Sequence, residues 1–169
     1  MAEGECLFCA IIQGKIPAKM VYEDSWNIGF LDINPRNPGH TLVVPKKHYE
    51  FLSEMTNEDA SRLLPAVKAV ASKVRNATQA QGVSIVQNNG QAAGQAVAHV
   101  HFHVIPRFAT EGPVAMEAIM PVKKMDEQSL DKMAALVKSA PEGSAPPVQE
   151  PKAEKLAKAK TLEDLIKDD

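Results

Sequence analysis

Residues 99–107 read HVHFHVIPR, and this stretch decides the fold. Side chains of an extended strand alternate between its two faces, so His99, His101 and His103 fall on one face and Val100, Phe102 and Val104 on the other. An ordinary core strand has no reason to carry three imidazoles in register. Burying them side by side is costly unless they hold a metal, an anion or one another. Upstream, the apolar residues 83–86 are followed by Asn88-Asn89-Gly90 and then Gly94-Gln95, a polar loop that turns the two runs into a hairpin. Glycines let backbone N–H groups come close to a ligand, and consecutive N–H groups in a turn form an anion-binding concavity. Beside the imidazoles such a loop suits a phosphate, whereas the loop taken alone reads as turn residues and no more.

Working outward, period-two patterns predict strands at residues 19–23, 27–32, 41–44, 83–88 and 98–106, with Val21, Ile28, Phe30, Leu42 and Val44 on apolar faces. A short helix is expected at residues 6–13. Thr56 followed by Asp59 reads as the cap of a long helix reaching residue 78, with Leu63, Leu64, Val67, Val70, Ala71 and Val74 at helical spacing. Pro65 lies inside it and predicts a kink or a later start. The sum is an α+β fold, an antiparallel sheet of about five strands with a long helix packed on one side.

A chain of 169 residues with 44% hydrophobic and 24% charged residues supports one buried core. Its net charge of −2 provides no broad basic field, which argues against nucleic acid as a partner and for a small molecule held in a pocket. No apolar run approaches the roughly 20 residues of a membrane span, and the start MAEGEC carries no basic segment followed by an apolar one. A cytoplasmic protein is expected, with no membrane contact. By composition, residues 1–110 form the domain and 111–138 a partly helical extension. Residues 139–151 make a Pro-rich linker, and 152–169 a charged tail or short helix with Leu156, Leu162, Leu165 and Ile166 as a thin apolar stripe. Such a tail either offers a protein contact or stays solvated.

The two cysteines, Cys6 and Cys9, form a C-x-x-C pair. Without a secretion signal, a metal or redox site is favoured over a structural disulfide. A tetrahedral zinc would need two further ligands, and the only histidines are His40, His48 and the three at 99, 101 and 103.

Residues 88–107, NNGxxxGQxVxHxHxHxIPR, resemble the signature of the histidine triad nucleotide-binding family, His-φ-His-φ-His-φ-φ with φ apolar. The likeness extends to CxFCxIIxGxIPAxxVYED at residues 6–24 and FLDINPxxPGHTLVVPKxH at 30–48, so it covers residues 5–108 and all five histidines. The resemblance implies a structural zinc on Cys6, Cys9, His48 and His99, as in microbial members. It implies that His101 attacks the α-phosphate to give a nucleotidyl-histidine, with His103 beside the phosphate as a donor. Asn88 and main-chain groups of Gly94, Gln95 and Val97 would orient that phosphate. Asp32 would meet the ribose hydroxyls, and Phe8, Ile11, Phe30 and Ile33 would wall the base, with Leu7 and Ile16 as further candidates. A homodimer with a joined sheet is implied as well. The expected activity is hydrolysis or transfer at the α-phosphorus of a purine nucleotide derivative, either a phosphoramidate or a dinucleoside polyphosphate. The alternative is a nucleotide-binding regulatory module with little turnover. Ala96 favours the alternative, because many family members carry Ser or Thr there.

Overall fold

Thr56 begins the longest element for a local reason: its hydroxyl accepts the Asp59 N–H at 3.1 Å, and Glu58 and Asp59 place negative charge at the positive end of the helix. The computed structural model describes residues 6–111 and 125–140. The capped helix, α2 (Asn57–Thr78), runs 22 residues and ends where Gln79 turns left-handed. Pro65 neither delays its start nor ends it. The residue lies on the exposed face, where water can satisfy the Ser61 carbonyl that the missing N–H leaves open. Leu63, Ala66, Val67, Val70 and Val74 line the buried face, whereas Leu64 is 64% exposed. Each fully buried Val or Leu on that face contributes about 1.5–3 kcal/mol.

The strands are β1 (Met20–Glu23), β2 (Asn27–Leu31), β3 (Thr41–Pro45), β4 (Gly82–Gln87) and β5 (Phe102–Arg107). They form one antiparallel sheet in the order β1-β2-β3-β5-β4. Val43, Val100 and Val104 face α2 and share its core. Leu42 and Val44 point the other way and pack with Ile28, Phe30 and the short helix α1 (Leu7–Ile12) through Phe8 and Cys9. The sheet is thus covered by α2 on one face and α1 on the other.

One strand boundary differs from expectation in a way that matters. β5 begins at Phe102, not at residue 98, so His99 and His101 lie outside the ladder. The reason is that the preceding backbone is engaged elsewhere: the His99 N–H donates to the Val97 carbonyl and the Val100 N–H to the Tyr49 carbonyl. Alternation nevertheless persists, with Val100 on the α2 side and the imidazoles on the α1 side. Pro106 is tolerated because β3 pairs with β5 only as far as Val104, which leaves no ladder bond for its absent N–H on that side.

Beyond the sheet, α3 (Glu127–Ser139) is capped by Asp126 and buries no residue. Residues 141–151 of the expected linker, the charged tail and residues 112–124 of the expected extension lie outside the described residues. Among the described residues, no helix is long and apolar enough to cross a membrane.

Candidate functional site

Residues 99–103 carry imidazoles into two separate clusters. In the first, the Nδ1 of His99 lies 3.4 Å from the Cys6 Sγ, 3.6 Å from the Cys9 Sγ and 3.2 Å from the His48 Nδ1; the Cys9 Sγ is also 3.4 Å from the His48 Nδ1. Four ligand atoms around a tetrahedral zinc, at bonds of about 2.0–2.3 Å, would be separated by roughly 3.3–3.8 Å. The observed spacings fit. His99 is fully buried, and its Nε2–H donates to the Pro45 carbonyl at 2.9 Å, which leaves the Nδ1 lone pair facing the cluster. Burial lowers the His99 pKa to about 4, so this nitrogen is unprotonated near neutrality. The four residues form a group able to hold a metal ion.

In the second cluster, His40, His103 and Asp32 gather beside His101. The His101 Nδ1 lies 2.7 Å from the His99 carbonyl, which can only accept, so Nδ1 carries the proton and Nε2 the lone pair. His40 receives the Arg36 backbone N–H at its Nδ1, 3.2 Å away. In its neutral form the proton therefore sits on Nε2, which donates to the His103 Nδ1 at 3.0 Å. That fixes the His103 proton on Nε2. The chain of donors runs Arg36, His40, His103, and it ends in an N–H. The neutral form is favoured throughout, because burial lowers the pKa of His40 and His101 and lowers His103 to about 4, where His101 and His40 add repulsion.

Asp32 accepts the Asn34 N–H at 2.8 Å and stands 3.5 Å from the His40 Nδ1. Phe8 and Phe30 are buried and meet edge to face at 5.6 Å, and Phe8 also packs against His101 at 5.2 Å. Ile11 is partly buried against the same group. Ile33 is not brought into that packing and is 89% exposed.

The loop between β4 and β5 turns through Gly90 (φ 82°) and Gly94 (φ 88°), conformations that glycine adopts without strain. Its donors are not all available. The Gly94 N–H goes to the Gln91 carbonyl and the Gln95 N–H to the Gly90 carbonyl. Among the described residues, the Val97 N–H and the Asn88 side-chain amide have no hydrogen-bond partner, and Ala96, between the two in sequence, is exposed.

His40 is the residue of this cluster that sequence reasoning left without a role. The signal was present: of five histidines, it is the one assigned neither to metal nor to the triad, and it directly precedes the strand that pairs Leu42 with His103.

The HIT domain model matches residues 13–110. The chain belongs to the HIT family. An uncharacterised HIT-like protein of Methanocaldococcus jannaschii is 54% identical over 109 residues, 64% of this chain and 84% of that protein. The adenosine 5′-monophosphoramidase of Schizosaccharomyces pombe is 42% identical over 102 residues, 60% of this chain and 74% of that one. The crystal structure of a HIT family member from Bacillus subtilis superposes with a TM-score of 0.70 at 35% identity, covering 83% of this chain and 99% of that chain.

Proposed function

We propose that this HIT protein is a nucleotide hydrolase or nucleotidyltransferase that cleaves a purine nucleotide derivative at its α-phosphorus through a covalent nucleotidyl-His101. The observation that carries the reading is the proton order of the second cluster. A nucleophile needs a lone pair and a phosphoryl oxygen needs a donor, and here His101 keeps its Nε2 lone pair while His103 keeps its Nε2–H. In the first step the His101 nitrogen bonds to phosphorus as the bond to the leaving group breaks, and the leaving group departs with the electron pair and takes a proton from solvent. In the second, water attacks phosphorus and gives up a proton to solvent, the P–N bond breaks with its electron pair returning to the nitrogen, and nucleoside monophosphate is released with a neutral His101. The likeness to a monophosphoramidase supports a phosphoramidate as substrate. Ala96 supplies no hydroxyl to the leaving group, which could cost a factor of about 10² in rate where nothing replaces it.

Zinc is the metal that the sulfur and imidazole donors of Cys6, Cys9, His48 and His99 suit best, and its bond energy would go into folding. His99 holds His101 through its own carbonyl, so a filled cluster also fixes the nucleophile's register. The exposed edge of β4, with Ile85 half exposed, supports a homodimer in which two sheets join. A solution mass of twice the monomer tests that part.

The decisive experiment measures steady-state turnover of an adenosine phosphoramidate and a diadenosine polyphosphate side by side, then quenches labelled substrate without acid. Label on His101 that is lost at low pH, as a P–N bond requires, is the expected result. Turnover with no labelled intermediate at any time would overturn the covalent route, and absence of turnover on both substrates would favour the regulatory module.

A further inference from the structure

Gln95 is buried at 8% exposure, and both ends of its side-chain amide are engaged within the protein. Its Oε1 accepts the Gly90 N–H at 2.6 Å, and its Nε2 donates to the Glu50 carbonyl at 2.8 Å. Its backbone N–H closes a second bond to the Gly90 carbonyl at 3.1 Å, so Gly90 and Gln95 clamp the loop between β4 and β5 into a ring. The backbone N–H and one donor and one acceptor of the amide are thus spent within the protein. Glu50 lies two residues beyond His48, on the segment that supplies a ligand atom to the Cys6/Cys9/His48/His99 group. Two further bonds join the same pair of segments: the Leu52 N–H donates to the Asn89 Oδ1, and the Val100 N–H to the Tyr49 carbonyl. The phosphate loop is therefore braced against residues 48–52, and Gln95 is the buried strut.

We infer that Gln95 is a positioning residue: it touches no substrate, and it holds the loop so that the unpartnered Val97 N–H and the Asn88 amide face a phosphate beside His101 and His103. The inference rests on the reading of this site as a nucleotide α-phosphate site. Donors aimed at a developing charge act in proportion to how firmly they are held. Releasing the strut should weaken what the loop does for a phosphate while leaving the nucleoside contacts alone.

The test compares AMP with adenosine as probes, using the full chain and its Gln95→Met and Gln95→Glu variants. Methionine fills the volume and makes neither bond. Glutamate keeps the acceptor for Gly90 and loses the donor to Glu50. The expected result is that Gln95→Met lowers the ratio of AMP affinity to adenosine affinity by at least about ten-fold, with adenosine affinity within about two-fold of the parent and kcat lowered more than KM rises; Gln95→Glu should lie between. A merely structural role moves the melting temperature and scales both ligands together, so an unchanged ratio overturns the inference even where the variant is less stable. Should Gln95→Met fail to fold, Gln95→Asn, which keeps a neutral amide but is too short to reach both Gly90 and Glu50, carries the same reading without adding charge near the phosphate. If the parent protein itself binds AMP no better than adenosine, the nucleotide-site reading fails, an outcome distinct from a variant that keeps the parent's preference.

Discussion

The two imidazole clusters each draw a histidine from one five-residue stretch of chain, residues 99–103, and they are wired in opposite senses. At Cys6, Cys9, His48 and His99 the lone pairs converge, since the outward nitrogen of His99 spends its proton on the Pro45 carbonyl. Converging lone pairs repel unless a cation sits among them. At His40 and His103 the protons run head to tail from the Arg36 N–H, so the row ends in a donor. A row of donors suits an anion. The same side chain presents a lone pair or a donor according to which of its nitrogens the backbone occupies, a choice made by Pro45 in one case and Arg36 in the other.

The sharpest way to break this comparison is His101→Ala, which removes the imidazole that stands beside His103 with its Nδ1 on the His99 carbonyl and its Nε2 lone pair kept. Turnover should fall by about 10⁴-fold or more, while AMP binding stays within a few-fold because Asp32, the base walls and the loop remain. Isothermal titration beside steady-state kinetics checks both halves. Normal turnover by this variant would return the triad to a binding role. Next in size, Cys6→Ala with Cys9→Ala should abolish bound zinc, about one per chain in the parent by elemental analysis, and lower the melting temperature by roughly 10 °C or more. Metal-free parent protein with the same melting temperature as the variant would show that the converging lone pairs need no cation.

His40→Gln tests the other wiring. Glutamine can still accept and donate, but it cannot reproduce the imidazole's fixed relay from the Arg36 N–H to the His103 Nδ1. A fall in kcat of about 10–100-fold is expected, with zinc content unchanged. A change in zinc content would show that the two clusters are one unit.

Much of this architecture is legible in the chain itself, for physical reasons that differ between its parts. The sheet and α2 follow from periodicity, because Leu42 and Val44 on one face and Val43 on the other leave few ways to bury them, and Thr56 with Asp59 marks the helix start. Of the metal group, spacing marks only the C-x-x-C pair as a metal or redox site, and His48 and His99 join it only through the family resemblance. What the sequence does not disclose is decided by individual hydrogen bonds. The late start of the β5 ladder depends on where the His99 and Val100 N–H groups go, and the part of His40 in the proton order depends on a backbone N–H four residues upstream. Gln95 reads as a loop residue near the phosphate, and only its two side-chain bonds show that it faces the protein. Pattern locates elements; partners assign roles.

The smallest expected effect is the most direct reading of the open cluster, and it concerns pH. His103 has an ordinary value near 6.5 in the unfolded chain, and in the folded protein it is lowered to about 4, first by burial and then by His101 and His40, with Asp32 opposing. Between those values the unfolded state holds the proton that the folded state refuses, so stability rises with pH across the window. Its contribution is fully present above about 6.5 and is lost as the pH falls toward 4. One proton of difference sets an upper bound of about 1.4 kcal/mol per pH unit on the slope. Urea unfolding at a series of pH values should therefore show the parent losing stability between pH 6.5 and 4, and His103→Asn losing less over the same range, with the slope reduced by up to one proton. Equal slopes in the two proteins would mean that His103 is protonated in the folded state at the same pH as in the unfolded one. In that case the donor row from Arg36 through His40 would not be holding it neutral, and the contrast with the metal cluster would fail at its most exposed point.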